Sequence, residues 1–141
     1  MFVTGAGALR TRDTEMTDHD LQRLIACLST TPALQNLTLS NNMCSFPTVH
    51  KLREVIESKV LIGLRELHCA AITADDAAIG HLLEVFQANP HFCPRLKVVD
   101  MSGNSLGNRK AASQLARIFT SNSQFLSAWM ELTHLNVSSN I

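Results

Sequence analysis

The 141 residues, 45% of them hydrophobic and 17% charged, suffice for the core of one ordinary domain and not comfortably for two. The 12 Lys and Arg balance the 12 Asp and Glu, which removes the electrostatic case for nucleic acid and for an anionic membrane surface, since both require a basic face. Cys27, Cys44, Cys69 and Cys93 form no CxxC pair, match neither a zinc spacing nor a dense disulfide framework, and imply a reducing, cytoplasmic setting with the thiols as small core hydrophobes.

Taken in chain order, residues 1–16 give no clean strand phrase, although Phe2, Val3 and Leu9 could supply part of one; this stretch does not read as a secretory signal, and Gly5-Ala-Gly7 is too short for a dinucleotide loop. Residues 18–28 predict a helix with Leu21, Leu24, Ile25 and Leu28 on one face and Thr17 or Asp18 as N-cap. A strand is predicted near 34–40. A helix over 47–58 opens on Pro47 and buries Leu52, Val55 and Ile56. A second strand lies near 64–70, then a helix over 74–88 that starts after Thr73, carries Asp75 and Asp76 in its first turn, buries Ile79, Leu82, Leu83 and Phe86, and stops at Asn89-Pro90. A third strand near 96–102 precedes a helix over 108–120 expected to bury Ala112, Leu115, Ile118 and Phe119. The segment 121–130 reads as a loop or extra turn on the rim with Phe125 and Trp129 folded onto the core, and a fourth strand lies near 132–138. Met43 and Met101 read as core, His19, His50 and His81 as solvated helix positions, and His91-Phe-Cys93 as a plain loop histidine beside a buried thiol. No apolar run approaches the roughly 18 residues of a membrane span.

The four strand phrases are copies of one another. Leu34-Gln-Asn-Leu37-Thr-Leu39-Ser-Asn-Asn42, Leu96-Lys-Val-Val99-Asp-Met101-Ser-Gly-Asn104-Ser-Leu106 and Leu132-Thr-His-Leu135-Asn-Val137-Ser-Ser-Asn140 follow the form L-x-x-L-x-L-x-x-N-x-L; Leu64-Arg-Glu-Leu67-His-Cys69-Ala-Ala-Ile72 is a weaker fourth. Their first residues lie at 34, 64, 96 and 132, so successive copies are 30, 32 and 36 residues apart. Alternation at the fourth and sixth positions is that of a short half-buried strand. The Asn is expected to turn inward, where its amide can pair with backbone groups that the turn leaves unsatisfied. The copy at 64 carries Ile72 where the Asn belongs, so its turn must be built differently and its register is the least determined.

The phrase resembles that of the leucine-rich-repeat family, and the full helix between strands at periods near 30 resembles the ribonuclease-inhibitor-like long-repeat subgroup. That resemblance implies an α/β fold: a leucine-rich-repeat solenoid, a partial horseshoe with parallel strands on the concave side and helices on the convex side. Residues 1–141 then form a single domain of about three and a half repeats. Because the last copy stops right after its strand, the chain is expected to be a piece of a longer array, with uncapped ends that invite self-association.

In such a repeat the third, fifth and seventh positions face solvent on the concave sheet. The fifth positions, Thr38, His68, Asp100 and Asn136, should stack as a ladder, flanked by Asn36, Glu66 and His134 on one side and Ser102 on the other, with Arg65 and Lys97 among the second positions at the edge. This polar, mixed-charge surface suits a protein partner, and these ten residues are the candidate binding residues. The weighed alternatives are a structural spacer or oligomerisation module, and, from another class, an enzyme or metal site built from His68, Asp100, Glu66 and His134. An open shallow face and the lack of a nucleophile elbow, phosphate loop or HExxH argue against an enzyme, and no cofactor or metal is expected.

Two stretches resemble a narrower family. Leu83-Glu-Val-Phe86-Gln-Ala-Asn89-Pro90 followed by the phrase at 96, and Asn108-Arg109-Lys110 leading through Phe119-Thr-Ser-Asn to the phrase at 132, are similar to repeats of CARMIL-type regulators of actin capping protein. The resemblance covers roughly residues 64–140. It implies a protein-interaction scaffold segment in cytoskeletal regulation, carrying shape and a docking face; the capping-protein-binding motif of that family lies outside its repeats.

Overall fold

A computed structural model describes residues 2–4, 8–10, 16–73, 75–88, 92–104, 106, 109–120 and 132–140. A hairpin of β1 (Phe2–Thr4) and β2 (Ala8–Arg10) is followed by α1 (Asp18–Cys27), β3 (Asn36–Thr38), α2 (Phe46–Glu57), β4 (Glu66–His68), α3 (Asp76–Ala88), β5 (Val98–Asp100), α4 (Arg109–Thr120) and β6 (His134–Asn136). The strands form one α/β sheet in sequence order; β1 and β2 are antiparallel, and β2 through β6 are all parallel. The helices stack in the same order, α1 on α2, α2 on α3 and α3 on α4.

Register is uniform across the sheet: Leu9, Leu37, Leu67, Val99 and Leu135 are paired in line, so the copy at 64 keeps step despite Ile72. Leu37, Leu67 and Val99 are fully buried against the helices, with half-buried neighbours on the opposite face. Leu34, Leu64 and Leu96, and then Leu39, Cys69 and Met101, close the core above and below them. Each buried Leu contributes about 1.5–3 kcal/mol by leaving water.

The helices form for local reasons. Thr17 caps α1 by accepting from the Asp20 amide at 3.1 Å, and its hydroxyl donates to Asp20 Oδ2 at 2.8 Å. Ser45 stands at the N-cap of α2, which carries Pro47 in its first turn. Asp18 ties the two helix starts together, accepting from the Ser45 amide at 2.9 Å, from the Ser45 hydroxyl at 2.6 Å and from the Thr48 hydroxyl. For α3 the cap is Asp75, whose Oδ1 accepts from Ala77 and Ala78. Leu21, Leu24, Ile25 and Leu28, then Leu52, Val55 and Ile56, then Ile79, Leu82, Leu83 and Phe86, are all buried.

Residues 8–10, with Leu9 among the residues that could supply part of a strand, complete a fifth parallel strand, and Phe2 and Val3 lie in β1. Two expectations need correction. Met43 is 73% exposed, because the position after the inward Asn points outward and the next one, Cys44, takes the core site. Ala112 is exposed, and the inner face of α4 carries Ala111, Gln114 and Leu115. Helix α4 is turned so that Gln114 Nε2 donates to Glu84 Oε1 on α3 at 2.9 Å, and Gly80 makes room for that side chain: a Cβ there would lie 2.9 Å from Gln114 Oε1. The side chains of Ile118, Phe119, Phe125 and Trp129 lie outside the described residues.

The turn after each strand is the same in every copy. The eighth position is left-handed throughout, at Asn41, Ala71, Gly103 and Ser139 (φ 60°, 51°, 68° and 55°). This bends the chain inward and hands each amide to the next unit: Asn41 N–H to Ala70 O, Ala71 N–H to Ser102 O, Gly103 N–H to Ser138 O. The ninth position then closes the turn. Buried Asn104 donates to its own Met101 carbonyl at 3.0 Å and to the Cys69 carbonyl of the preceding unit at 2.8 Å, while its Oδ1 accepts from the Ile72 and Thr73 amides at 3.0 and 3.2 Å. Asn140 repeats the arrangement on Met101 O and the Leu106 amide. Where Ile72 replaces the Asn, its main-chain carbonyl accepts from the Cys44 amide at 2.7 Å and takes over the missing side-chain oxygen's task.

Asn104→Ala strands two buried amides and a carbonyl. The expected loss is about 3 kcal/mol or more in urea unfolding, given about 1–3 kcal/mol for each of these three groups left unpaired; an unchanged midpoint and slope would show that water serves these groups equally well.

Candidate functional site

The sheet face turned away from the helices is built by the fixed register. Asn36, Glu66, Val98 and His134 form one row across β3–β6, and Thr38, His68, Asp100 and Asn136 form the next. Ser40, Ala70, Ser102 and Ser138 follow as the chain leaves the strands. Arg65 and Lys97, with Gln35 and Thr133, are exposed just ahead of the strands. Their position is fixed by a repeated fork in which one carbonyl receives two amides of the next unit: Gln35 O from Arg65 and Glu66, Arg65 O from Lys97 and Val98, Lys97 O from Thr133 and His134. All ten sequence-chosen residues therefore lie on or beside one face, within the span of four adjacent strands.

Several of these side chains are held in place. His68 Nε2 is 3.2 Å from Glu66 Oε2. Asp100 Oδ1 accepts from the Ser102 amide at 3.0 Å and the Ser102 hydroxyl at 2.7 Å, an arrangement that fixes the carboxylate above the turn. Asn136 Oδ1 does the same for the Ser138 amide. Ser40 Oγ accepts from the Ala70 amide at 3.1 Å, and His134 Nδ1 is 2.8 Å from the Thr133 hydroxyl. A depression of about 560 Å³ lies over the C-terminal ends of the strands, and a smaller one of about 370 Å³ lies between His68 and Asp100 on one side and His134 and Asn136 on the other. Among the described residues no three His, Cys, Asp or Glu side chains come together as a metal-binding group, and no helix is long and apolar enough to cross a membrane. Burial raises the thiols of Cys44 and Cys93 to about 12 and that of Cys69 further, so these three are protonated core groups; Cys27 is exposed.

A second polar cluster, not foreseen, joins α2 to α3 on the outer side. Arg53 Nε donates to Glu57 at 2.8 Å, while its Nη1 shares two hydrogens among Glu84 Oε2 at 3.0 Å, the His81 carbonyl at 3.1 Å and His81 Nδ1 at 3.0 Å. A guanidinium can only donate, so His81 Nδ1 is the acceptor and the ring proton sits on Nε2, 2.7 Å from His50 Nδ1. His50 Nε2 then faces Glu54 at 3.6 Å, and Phe46 packs against the His81 ring at 4.9 Å. His81 is thus half-buried and bonded, unlike the solvated helix position expected of it. The spacing of His50, Arg53 and Glu57 along one helix face was visible in sequence, but its partners on α3 become neighbours only through helix stacking.

Burial, then the charge of Arg53 and the proximity of His50, hold His81 below its ordinary 6.5. A depressed histidine pKa means the fold favours the neutral ring. Its contribution is complete above pH 6.5 and is lost as pH falls through the lower folded value. Unfolding stability is therefore expected to drop as pH falls below about 6.5, and His81→Gln to flatten that part of the profile; an equally steep profile in the variant would contradict the assignment.

No protein-family model matches the chain, and no curated protein sequence matches it.

Proposed function

We propose that the chain is a segment of a long-period, helix-backed leucine-rich-repeat array whose exposed sheet face docks another protein in the cytoplasm. The observation that carries this reading is the register: side chains from four parallel strands, all polar except Val98, are aligned in two rows on the face opposite the helices. Four further features support the repeat assignment: one strand and one helix per unit from β3 through α4, neighbours in sequence order, the left-handed eighth position in every copy, and inward Asn42, Asn104 and Asn140. The resemblance of residues 64–140 to CARMIL-type repeats favours a scaffold in cytoskeletal regulation.

Binding fits this face better than catalysis. Its depressions are open, and the polar side chains Asp100, Ser102 and Asn136 fasten the turns that follow their strands. The spacer reading predicts no partner on the face. A photo-crosslinking side chain placed at Thr38 or Asn136, compared with one at Lys51 on α2, separates the readings in cell extract. A discrete protein adduct from the sheet positions and none from Lys51 is expected; adducts from Lys51 alone, or from neither surface, would overturn the proposal.

A further inference from the structure

Resting on that docking reading, we infer that the partner segment is charge-split: a Lys or Arg side chain enters the depression to reach Asp100, with Glu66 beside its path, and an Asp or Glu about 10 Å from that Asp100 contact along the strands meets Arg65 and Lys97.

The face is divided in charge along the strand direction. At its leading edge, Arg65 and Lys97 are exposed neighbours on adjacent units, joined by the Lys97 amide donating to the Arg65 carbonyl at 2.7 Å. One residue past Arg65, at the start of β4, stands Glu66, and three residues past Lys97 stands Asp100, about 3 and 10 Å beyond the basic row at about 3.3 Å of rise per residue. Neither carboxylate is paired with a Lys or Arg among the described residues; Glu66 has only His68, and both bonds to Asp100 fall on Oδ1. Among the described residues no bond falls on Asp100 Oδ2, and the carboxylate's orientation is already fixed through Oδ1, so a partner cation meets a preorganised acceptor.

The depression has the shape for such a cation. Small residues line its floor, Ser40, Ala70, Ala71, Ser102, Gly103 and Ser138, and leave the 560 Å³ unfilled beside Glu66, His68 and Asp100. The aliphatic stem of a Lys or Arg can lie over Ala70 and Ala71 while its head reaches a carboxylate. Phosphate-bearing ligands are disfavoured, because the two basic residues lie outside the depression and both acids lie within it. A partner with its charges in the opposite order meets like charge at both ends, which gives the face its selectivity.

The test is to pan a phage-displayed random 12-residue peptide library on the purified full chain and to measure enriched peptides by fluorescence anisotropy. Peptides carrying one basic and one acidic group are expected, with affinity that falls as salt is raised. The double variant E66K/D100K should weaken them about tenfold or more, and peptides whose basic residue alone is reversed to Asp or Glu should recover binding to it. If that variant does not fold by circular dichroism, E66Q/D100N should still weaken binding without recovery by the reversed peptide. Peptides that ignore these charges but are lost on Ser102→Trp, which fills the depression, would overturn the charge pattern and leave the docking face standing. No enrichment, or peptides indifferent to both changes, would overturn the docking reading and this inference with it.

Discussion

Each strand here lasts only three residues before the chain must turn inward, and a turn into a core carries amides and carbonyls that no strand neighbour can reach. The rest of the structure depends on how those groups are satisfied. Asn104 does it for two units at once, binding carbonyls of its own turn and of the one before, and receiving the amides of Ile72 and Thr73. Because its side chain spans two units, it fixes their relative register as well as closing a turn. The left-handed residue before it directs the chain inward, and three of the four copies use a residue other than Gly at that position, Asn41, Ala71 and Ser139. Such backbone is held by its surroundings at a cost of about 1 kcal/mol or more per residue.

Function follows from that register. A slip of one residue would turn Leu37, Leu67 and Val99 outward and bring Thr38, His68 and Asp100 into the core. With the slip forbidden, sequence positions become surface coordinates: every third and fifth residue of the phrase is delivered to one face, and the second residues to its edge. The separation of Arg65 and Lys97 from Glu66 and Asp100 is then a property of the sheet rather than of flexible loops. The outer side is ordered differently, by side chains reaching between helices, with Arg53 binding Glu57 on its own helix and Glu84 and His81 on the next.

Much of this was legible in the sequence because the repeat encodes it redundantly. The strand cores, the inner faces of the first three helices and the alignment of Thr38, His68, Asp100 and Asn136 follow from apolar periodicity and copy-to-copy alignment alone. What escaped had weaker or non-local signals. Ala8-Leu9-Arg10 is too brief for its pairing with β3 to show. Met43 looked like a continued apolar position, yet the eleventh place of the phrase, Cys44 and Leu106, carries the core contact. The rotation of α4 depends on Gln114 meeting Glu84 across the space left by Gly80, a three-residue coincidence between two helices. The substitution at Ile72 was visible, but its remedy, a main-chain carbonyl in place of an amide side chain, is a matter of backbone geometry.

The central claim is that side-chain amides of one unit secure the main chain of the preceding one. Amide hydrogen exchange in the native chain, resolved residue by residue, tests it most directly. The Ile72, Thr73 and Leu106 amides, bonded to Asn104 and Asn140, should exchange as slowly as those of core strands such as Leu67 and Val99. Exchange of Ile72 and Thr73 at the rate of the exposed turns, with Leu67 and Val99 still protected, would show that the units stack without this bond and would contradict the account.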